Sequence, residues 1–258
     1  MKNEINGNTI VRVGDWLPFN LESLNTWLSE LTQEVEEKKE PLLPVMEKFK
    51  HLIEHDPEVY MLITQMITQV PNKGKYRKDP IGGHQIRNYD QILYLINAIL
   101  TKAPEFNETD LVGCPINAIL DWSMGTPAGF AAFLNSKVNA MFEEILNVWC
   151  EFLSSKKSLY VLNDTDKGWM CKKARKKIKI EQYIHSVDDL CWGFTSWNDF
   201  FTRKFKDGER PVAEPNNDKV IVSACESTPY KISTNVQRFR TPDLLDSGLI
   251  PCHRPSAN

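Results

Sequence analysis

The segment from Trp192 to Tyr230 constrains the fold of this chain most, because it joins an aromatic helix, a proline-rich hinge and an apolar strand. The run Val220-Ile221-Val222 is β-branched and reads as a strand that needs a sheet around it. A second strand is expected over Tyr230–Phe239, and only residues 240–258 follow it. An isolated strand pair is marginal in water, so we expect a β-rich domain that begins here and is not completed.

The aromatic helix in this segment is predicted from its own capping residues. Ser196 can cap the helix and Asp199 lies three positions later, which is the spacing of a capping box. Asp199 and Arg203 are one turn apart, and we expect them as a weak pair on the solvent side. Asp207-Gly208 is predicted to end the helix, since glycine tolerates the left-handed conformation. The predicted apolar face consists of Trp197, Phe200, Phe201 and Phe205.

Four pieces of sequence resemble one known family when they are taken in order. They are the helical run Asp121–Phe130, then Phe200-Phe201-Thr202-Arg203, then Arg210-Pro211, then Ser223-Ala224-Cys225-Glu226-Ser227. This order is similar to that of the phosphatidylserine decarboxylase family, and Glu226 with Ser227 resembles its soluble, L-tryptophan decarboxylase-like branch more than its lipid branch. The resemblance implies a mainly α-helical N-terminal domain, followed by the truncated start of an α+β, β-rich decarboxylase catalytic domain.

The resemblance also implies a chemistry. Family members cleave their own chain at a serine, which becomes a pyruvoyl group; the ketone condenses with a substrate amine and accepts electrons as carbon dioxide leaves. The substrate is an amino acid or the headgroup of a phospholipid, with an aromatic amino acid favoured here. By motif position Glu226 is the expected triad carboxylate that helps to activate the serine. The alternative interpretation of Glu226 is an ordinary acid at the end of a strand.

The residues that would form the pyruvoyl group are not found in the sequence. The family serine follows a glycine, and none of the twelve glycines of this chain is followed by serine. The nearest nucleophile pairs are Gly113-Cys114 and Gly125-Thr126, each followed by proline. His253-Arg254 shares two residues with the family's His-Arg-x-His stretch but lacks its second histidine. We therefore expect a fragment that is inactive alone and carries no pyruvoyl cofactor.

Composition indicates an ordinary water-soluble protein. The net charge is −3, with 25% charged residues, which gives no whole-chain attraction to nucleic acid. No secretory segment follows Met1, and the longest uncharged run, residues 122–136, is too short to span a bilayer. The six cysteines include no Cys-x-x-Cys pair, so no metal site or disulfide framework is expected. The predicted location is the cytoplasm, with mitochondrial association open for the lipid branch.

The hydrophobic pattern is helical over most of the chain. Residues 10–155 are predicted as a helical N-terminal domain, residues 156–187 as a charged linker, and residues 188–258 as the partial catalytic domain. Within the first domain, Asp56-Pro57 predicts the start of a helix. One long helix is expected from Thr126-Pro127 to Leu153. This helix is expected to be the spine of a helical bundle, and it carries the apolar residues Phe130, Phe133, Leu134, Val138, Met141, Phe142, Ile145, Trp149, Phe152 and Leu153.

Two other motifs allow a functional and a plain interpretation. His51-Leu52-Ile53-Glu54-His55 matches an inverted zinc-protease signature, although a histidine here also complements the end of a helix. The run Lys172–Lys179 holds six cations, which suits an anionic membrane, nucleic acid or an import receptor. The plain interpretation, a solvated helix or linker, is favoured for the run. For the histidines, the helix-end interpretation is favoured over a metal site.

A non-enzymatic role is the alternative to the decarboxylase hypothesis. A helical module truncated before its serine can persist as a binding domain, with an intact homologue as the expected partner. Residues 242–258 have no alternating apolar pattern and are expected to be disordered or foreign to the fold. Membrane contact stays open in both hypotheses.

Overall fold

A computed structural model describes residues 22–70, 86, 88–107 and 114–222, with side chains from residue 26 onward. Backbone contacts divide the chain into two compact units, Val13–Glu209 and a second that combines Met1–Arg12 with Arg210–Asn258. The described part of the first unit is mainly helical. Residues 210–222, the described part of the second unit, form turns and chain without helix or strand.

Within the described chain, seven α-helices form a bundle that confirms the prediction of a mainly helical protein. They are α1 (Glu22–Lys38), α2 (Pro44–His55), α3 (Pro57–Thr68), α4 (Tyr89–Ile99), α5 (Pro115–Met124), α6 (Pro127–Leu134) and α7 (Ser136–Leu153). Helix α3 packs on α6, α2 packs on α3 and α7, and α4 packs on α1 and α5. Met46, Leu93 and Ile145 lie in the apolar cluster at the centre. We call α1–α7 the helical bundle.

The predicted start of α3 is confirmed in detail. The Asp56 carboxylate accepts hydrogen bonds from the backbone N–H groups of Glu58 and Val59, at 3.0 and 3.1 Å. Pro57 occupies the first helical position, where its missing N–H leaves no donor unsatisfied. The turn between α2 and α3 is therefore fixed by neighbouring residues, which is why the sequence alone predicted it.

The single long helix expected from Thr126 to Leu153 is wrong, because the chain breaks at Asn135. The Asn135 side chain accepts from the N–H groups of Lys137 and Val138, and its backbone is extended, so it caps α7 and separates it from α6. Two apolar residues just before the break therefore face outward. Phe130 is 67% exposed and Leu134 is 68% exposed.

Residues 156–205 form a second region built from short pieces. These are 3-10 turns at Lys156–Val161, Ile180–Gln182 and Leu190–Gly193, and two helices, α8 (Lys172–Ile178) and α9 (Trp197–Phe201). We call residues 156–205 the aromatic region. Its buried side chains, Val161, Leu162, Ile180, Phe194, Trp197 and Phe200, form a second apolar cluster with Leu153 of α7. Val161, Leu162 and Ile180 belong to the predicted charged linker, residues 156–187, and thus contribute to this cluster. The predicted limits of the domains stay predictions.

The β-rich catalytic domain is not confirmed. The predicted strand at Val220 begins with three described residues, Val220–Val222, and these pair with no strand. Ala224 and the predicted strand Tyr230–Phe239 lie outside the described residues. Within the described residues, one isolated antiparallel bridge joins Tyr183 and Phe205.

Candidate functional site

Helix α9 carries the aromatic motif, and its start follows the prediction. The Ser196 hydroxyl accepts a hydrogen bond from the N–H of Asp199 at 3.0 Å. The Asp199 carboxylate accepts in return from the N–H and the hydroxyl of Thr195, at 2.9 and 3.1 Å. The helix ends at Phe201, however, well before Asp207-Gly208, so the predicted end is wrong. Because α9 has five residues, its stability depends on these side-chain caps rather than on its length.

The short helix divides its aromatic side chains between the core and the surface. Trp197 is 5% exposed and Phe200 is 1% exposed, whereas Phe201 is 61% exposed and Phe205 is 38% exposed. The prediction that all four share one apolar face is therefore wrong, because a helix of this length cannot carry the pattern as far as Phe205. Phe201 stacks on Trp197, with ring centroids 4.9 Å apart.

Arg203 of the Phe-Phe-x-Arg motif turns inward. Its guanidinium carbon lies 4.3 Å from the centroid of the Tyr183 ring and 4.9 Å from that of Phe200. Nη1 donates to the carbonyl of Phe200 at 3.1 Å, and burial lowers the pKa of the guanidinium. The predicted solvent-side pair with Asp199 is wrong, since the Arg203 guanidinium lies over the rings of Tyr183 and Phe200 instead. Its role in this structure is to hold the motif in place.

An apolar groove lies between α9 and the helical bundle, with a volume of about 500 Å³. Its walls come from α5, α6, α7 and α9. The lining residues are Cys114, Ile116, Asn117, Leu120, Met124, Phe133, Phe142, Leu146, Trp149, Leu153, Trp197, Asn198 and Phe201. No charged side chain is among these described residues. Leu146 is 47% exposed, so the groove presents apolar surface to its surroundings. We call this feature the α7–α9 groove.

The polar groups at the α7–α9 groove mostly bind the protein itself. The Asn198 amide donates to the Ser154 hydroxyl at 2.9 Å, and the Trp149 indole N–H donates to the carbonyl of Lys102 at 2.8 Å. The indole N–H of Trp197 is buried and has no acceptor in the part of the chain that the structure describes. The bonds of Asn198 and Trp149 fix the walls of the groove, and most of the other lining residues are apolar.

A buried carboxylate was missed by the sequence analysis. Asp121 in α5 is 1% exposed, and neither of its oxygens has a hydrogen-bond partner among the described residues. Burial raises its pKa to about 7, so it holds or releases a proton near neutral pH, a property of general acids and bases. The available signal was a charged residue between Leu120 and Trp122, within an otherwise apolar helix. Asp121 is not among the residues that line the α7–α9 groove.

The residues predicted for pyruvoyl chemistry are not brought together by the described chain. Glu226 and His253-Arg254 lie outside the described residues. Thr126 is 1% exposed, and its hydroxyl donates to the carbonyl of Ser123 and accepts from the N–H of Gly129, so it serves as a buried helix cap. Cys114 is exposed and directly precedes Pro115 at the start of α5. Neither nucleophile fits the site of a self-cleavage that would form a pyruvoyl group.

The two histidines of the motif in α2 stack on each other. The rings of His51 and His55 stack with centroids 3.8 Å apart, and Nδ1 of His55 lies 2.9 Å from the carbonyl oxygen of His51. Glu54 accepts from the Tyr89 hydroxyl and lies near Lys50. Within the part of the chain that the structure describes, no three His, Cys, Asp or Glu residues are grouped to hold a metal ion. The contact between His55 and the His51 carbonyl in the last turn of α2 fits the helix-end interpretation.

The basic run forms α8 and the residue after it. Ala174 is buried in the helix, while the six cations of the run are exposed. The Arg175 guanidinium carbon lies 5.7 Å from the centroid of the Trp192 ring. Binding of an anionic partner by this helix stays a prediction. No helix in the described ranges has the length and the apolar character that crossing a membrane requires.

Comparisons with known proteins match most of the chain to one family. Two phosphatidylserine decarboxylase family models match residues 43–178 and residues 197–245. The L-tryptophan decarboxylase of Psilocybe cubensis is 32% identical over 216 residues, which is 78% of this chain and 46% of that protein. That of Psilocybe cyanescens is 32% identical over 246 residues, covering 88% and 53%.

A third relative matches a shorter stretch. Decarboxylase iboD of Amanita muscaria is 30% identical over 133 residues, covering 48% of this chain and 38% of the relative. The chain thus spans about half the length of the two tryptophan decarboxylases that it resembles. The boundary between the two family-model matches falls between α8 and α9. The α7–α9 groove has walls from both matched stretches.

Proposed function

Because this chain belongs to the phosphatidylserine decarboxylase family, on its tryptophan decarboxylase-like branch, we propose that it forms the first half of a pyruvoyl-dependent amino-acid decarboxylase. The observation that carries the proposal is the order of the matches, with the helical bundle followed by the decarboxylase match that opens at α9. Both tryptophan decarboxylases align across this order. An aromatic amino acid is the favoured substrate, and a phosphatidylserine headgroup is the alternative.

In this proposal the bundle and α9 provide a scaffold, and the reacting groups lie elsewhere. A pyruvoyl group, once formed, supplies an electron sink for loss of carbon dioxide. The serine that forms it would come from sequence that the relatives carry beyond the aligned half, since the 258 residues contain no Gly-Ser pair. Glu226 is proposed as the orienting carboxylate of the self-cleavage. The chain alone is therefore proposed to be inactive.

Mass spectrometry and an activity assay test the proposal together. The purified chain is treated with phenylhydrazine, which traps ketones, and is incubated separately with L-tryptophan and with phosphatidylserine vesicles. We expect the intact 29.7 kDa chain, no hydrazone, and no tryptamine or phosphatidylethanolamine. The chain is then co-expressed with the remaining segment of the Psilocybe cubensis enzyme, and we expect self-cleavage of that segment and formation of tryptamine.

The matched control is the Psilocybe cubensis enzyme divided at the same point, with its own first half supplied as a separate chain. This pair establishes that a divided enzyme can work. If the control forms tryptamine and the pair that contains this chain does not, the decarboxylase proposal fails. A hydrazone or turnover with this chain alone would refute the inactivity part. Turnover of phosphatidylserine but not L-tryptophan would reassign the substrate.

The second candidate function is a non-enzymatic binding module, and the α7–α9 groove is the observation that favours it. Leu146 and Phe201 are exposed apolar side chains, and contact with a protein partner would remove them from water. Size-exclusion chromatography with the intact Psilocybe cubensis enzyme tests this function. Stable co-elution without any gain in decarboxylation supports the module, and separate elution removes it.

A further inference from the structure

Helix α8 carries a dense group of positive charges on a backbone that is fixed to the protein. Ala174 and Cys171 are buried in one cluster with Phe106, and the Cys171 sulfur caps the helix by accepting from the N–H of Ala174. The helix is therefore anchored through its buried residues. The cations of the basic run are all exposed, and they are Lys172, Lys173, Arg175, Lys176, Lys177 and Lys179.

Two lysines of α8 have no carboxylate partner within the described residues. Elsewhere lysines pair across the fold, as Lys48 does with Glu144, whereas no such ion pair is found for Lys172 or Lys176 among the described residues. Residues 172–192 hold six cations and three carboxylates, a net charge of +3, although the whole chain carries −3. The positive charge of this surface is therefore local and is offered to the surroundings.

The turn at residues 184–192 adds exposed apolar side chains beside α8. The Arg175 guanidinium carbon lies 5.7 Å from the centroid of the Trp192 ring, which brings the helix next to the turn. The N–H of Ser186 donates to the carbonyl of Trp192 at 3.0 Å and closes the turn. Its exposed apolar residues, at 58%, 68% and 88% exposure, are Ile184, Val187 and Leu190. We call α8, Lys179 and this turn the α8 surface.

The α8 surface combines the two features that a charged lipid interface attracts. We propose that it docks reversibly on an anionic lipid bilayer. Lysine and arginine side chains are drawn to negative headgroups, and exposed Val187 and Leu190 leave water when they enter the boundary between headgroups and acyl chains. The carboxylates of Asp188 and Asp189, in the same turn, oppose this attraction, so binding depends on the excess of cations.

A lipid surface fits these residues better than nucleic acid, which is the other polyanion. Nucleic acid would use the cations but would give the apolar side chains of Val187 and Leu190 no apolar surroundings. The inference also stands apart from the decarboxylase proposal. The two family-model matches end at residue 178 and resume at residue 197, so neither accounts for the exposed turn.

Co-sedimentation of the full chain with lipid vesicles tests the α8 surface. The vesicles contain phosphatidylcholine alone, or phosphatidylcholine with about 30% phosphatidylglycerol, which supplies negative charge without the headgroup of the alternative substrate. We expect the chain to sediment with the anionic vesicles and not with the neutral ones. Sodium chloride at about 0.5 M should release it, because salt screens exposed charges.

Charge reversal on α8 tests the electrostatic part. Lys172→Glu combined with Lys176→Glu should lower the vesicle partition coefficient at least about tenfold. The matched control is Lys156→Glu combined with Lys157→Glu, which changes the net charge equally at exposed lysines of the turn after α7. This control should change the coefficient less than about threefold, because charges away from the contact are screened.

Removal of an apolar side chain from the turn tests the insertion part. Leu190→Ser should lower the partition coefficient about fivefold without a change of charge. The matched control is Leu134→Ser in α6, which is 68% exposed and lies outside the α8 surface, and it should change binding less than about twofold. Circular dichroism and thermal unfolding of each variant establish that its fold is kept.

Several outcomes would overturn the inference, and none depends on decarboxylation. They are no sedimentation of the unaltered chain with anionic vesicles, equal losses in the α8 variant and its lysine control, and binding that is indifferent to Leu190→Ser. A labelled DNA duplex, measured by fluorescence anisotropy, gives the remaining one. If the chain binds the duplex but not the vesicles, and charge reversal on α8 abolishes this binding, the α8 surface belongs to nucleic acid and the lipid proposal is refuted.

Discussion

The helical bundle and the aromatic region fill their cores in different ways. In the bundle, aliphatic side chains recur at helical spacing, and residues such as Leu93 and Ile145 are completely buried. The aromatic region has helices of seven and five residues, and its core depends on large rings in contact, as Trp169 is with Phe200 at 5.5 Å. It also holds Cys191 and Trp192 at positive φ, a backbone conformation that costs energy outside glycine.

This difference indicates where each region obtains its stability. The bundle gains stability from regular helices that pack along their length, so the removal of one contact leaves neighbouring contacts in place. The aromatic region is held by a few side chains, among them Phe200, which contacts Phe194, Trp169 and Arg203. We therefore expect the aromatic region to open locally at lower free energy than the bundle does.

The largest expected effect is that of Phe200→Ala, compared with Ile145→Ala in the bundle. Removal of a buried phenyl ring costs roughly 3–5 kcal/mol, and removal of a buried isoleucine side chain costs roughly 2–5 kcal/mol. Hydrogen exchange measured by mass spectrometry should show faster exchange across residues 156–205 in Phe200→Ala, with α2–α4 still protected. Ile145→Ala should raise exchange in both regions, because α7 contributes to both clusters.

Uniform loss of protection in Phe200→Ala, equal in α2–α4 and in residues 156–205, would contradict the comparison. The two regions would then unfold as one cooperative unit. Phe130→Ala is a suitable control, because this phenylalanine is 67% exposed and its substitution should change stability by less than about 0.5 kcal/mol.

The next expected effect concerns Asp121, whose burial should make the stability of the folded chain depend on pH. Burial raises the pKa of Asp121 to about 7, above its value of about 3.9 in an unfolded chain. The folded state therefore binds this proton more tightly, and stability is greatest at low pH and is lost as pH rises toward 7. In Asp121→Asn this loss disappears. Between pH 5 and pH 8 the free energy of unfolding of the unaltered chain should fall, relative to that of the variant, by on the order of 2.5 kcal/mol.

Urea unfolding at several pH values measures this difference. Subtraction of the Asp121→Asn curve removes the contributions of other acids, such as Asp56, whose pKa is lowered by its hydrogen bond with Lys137. A difference that does not vary between pH 5 and pH 8 would show that Asp121 keeps an ordinary pKa. No comparable unpartnered buried carboxylate is found in the described part of the aromatic region.

These contrasts also explain which parts of the structure the sequence predicts. The Asp56-Pro57 start and the Ser196 cap were predicted correctly, because each depends on residues within three positions. The break at Asn135 was missed, since an apolar period continues through it and only the side-chain cap decides the outcome. The contact of Arg203 with Tyr183 joins residues twenty positions apart in an irregular region, so no local pattern reveals it.

The candidate site also has features that the sequence predicts and features that it does not. The motif that contains Phe200, Phe201 and Arg203 was recognised, but the separation of a buried Phe200 from an exposed Phe201 depends on where α9 ends. The α7–α9 groove forms from four helices, and its walls meet only after the bundle has folded. Asp121 was passed over because a carboxylate in an apolar helix carries no motif of its own.

A smaller effect is expected from loss of helix caps, and it differs between the two regions. Ser196→Ala removes the hydroxyl that accepts from Asp199 and should cost about 1 kcal/mol. Asn135→Ala removes two cap hydrogen bonds from α7, but alanine also allows α6 and α7 to join, which offsets the loss. We expect less than about 0.5 kcal/mol for Asn135→Ala, measured by urea unfolding. A larger cost at Asn135 than at Ser196 would contradict the idea that α9 depends on its cap more than α7 does.

A similarly small effect is expected from Arg203→Lys, which keeps the positive charge and removes the planar group. The guanidinium lies against both Tyr183 and Phe200 and donates to the carbonyl of Phe200. A lysine ammonium cannot stack in this way, and the change should cost roughly 0.5–1 kcal/mol. Arg175→Lys is the matched control, because Arg175 is exposed and lies farther from its ring, at 5.7 Å from Trp192.

Urea unfolding of the two lysine variants separates a held arginine from a surface one. Arg203→Lys should also alter the near-ultraviolet circular dichroism of the aromatic region, because the environment of Tyr183 changes. If both variants lose the same small free energy and the spectrum is unchanged, the stacking of Arg203 contributes nothing beyond its charge. The irregular chain between α8 and α9 would then be held by its backbone hydrogen bonds, such as that from Ile184 to Lys204 at 2.8 Å.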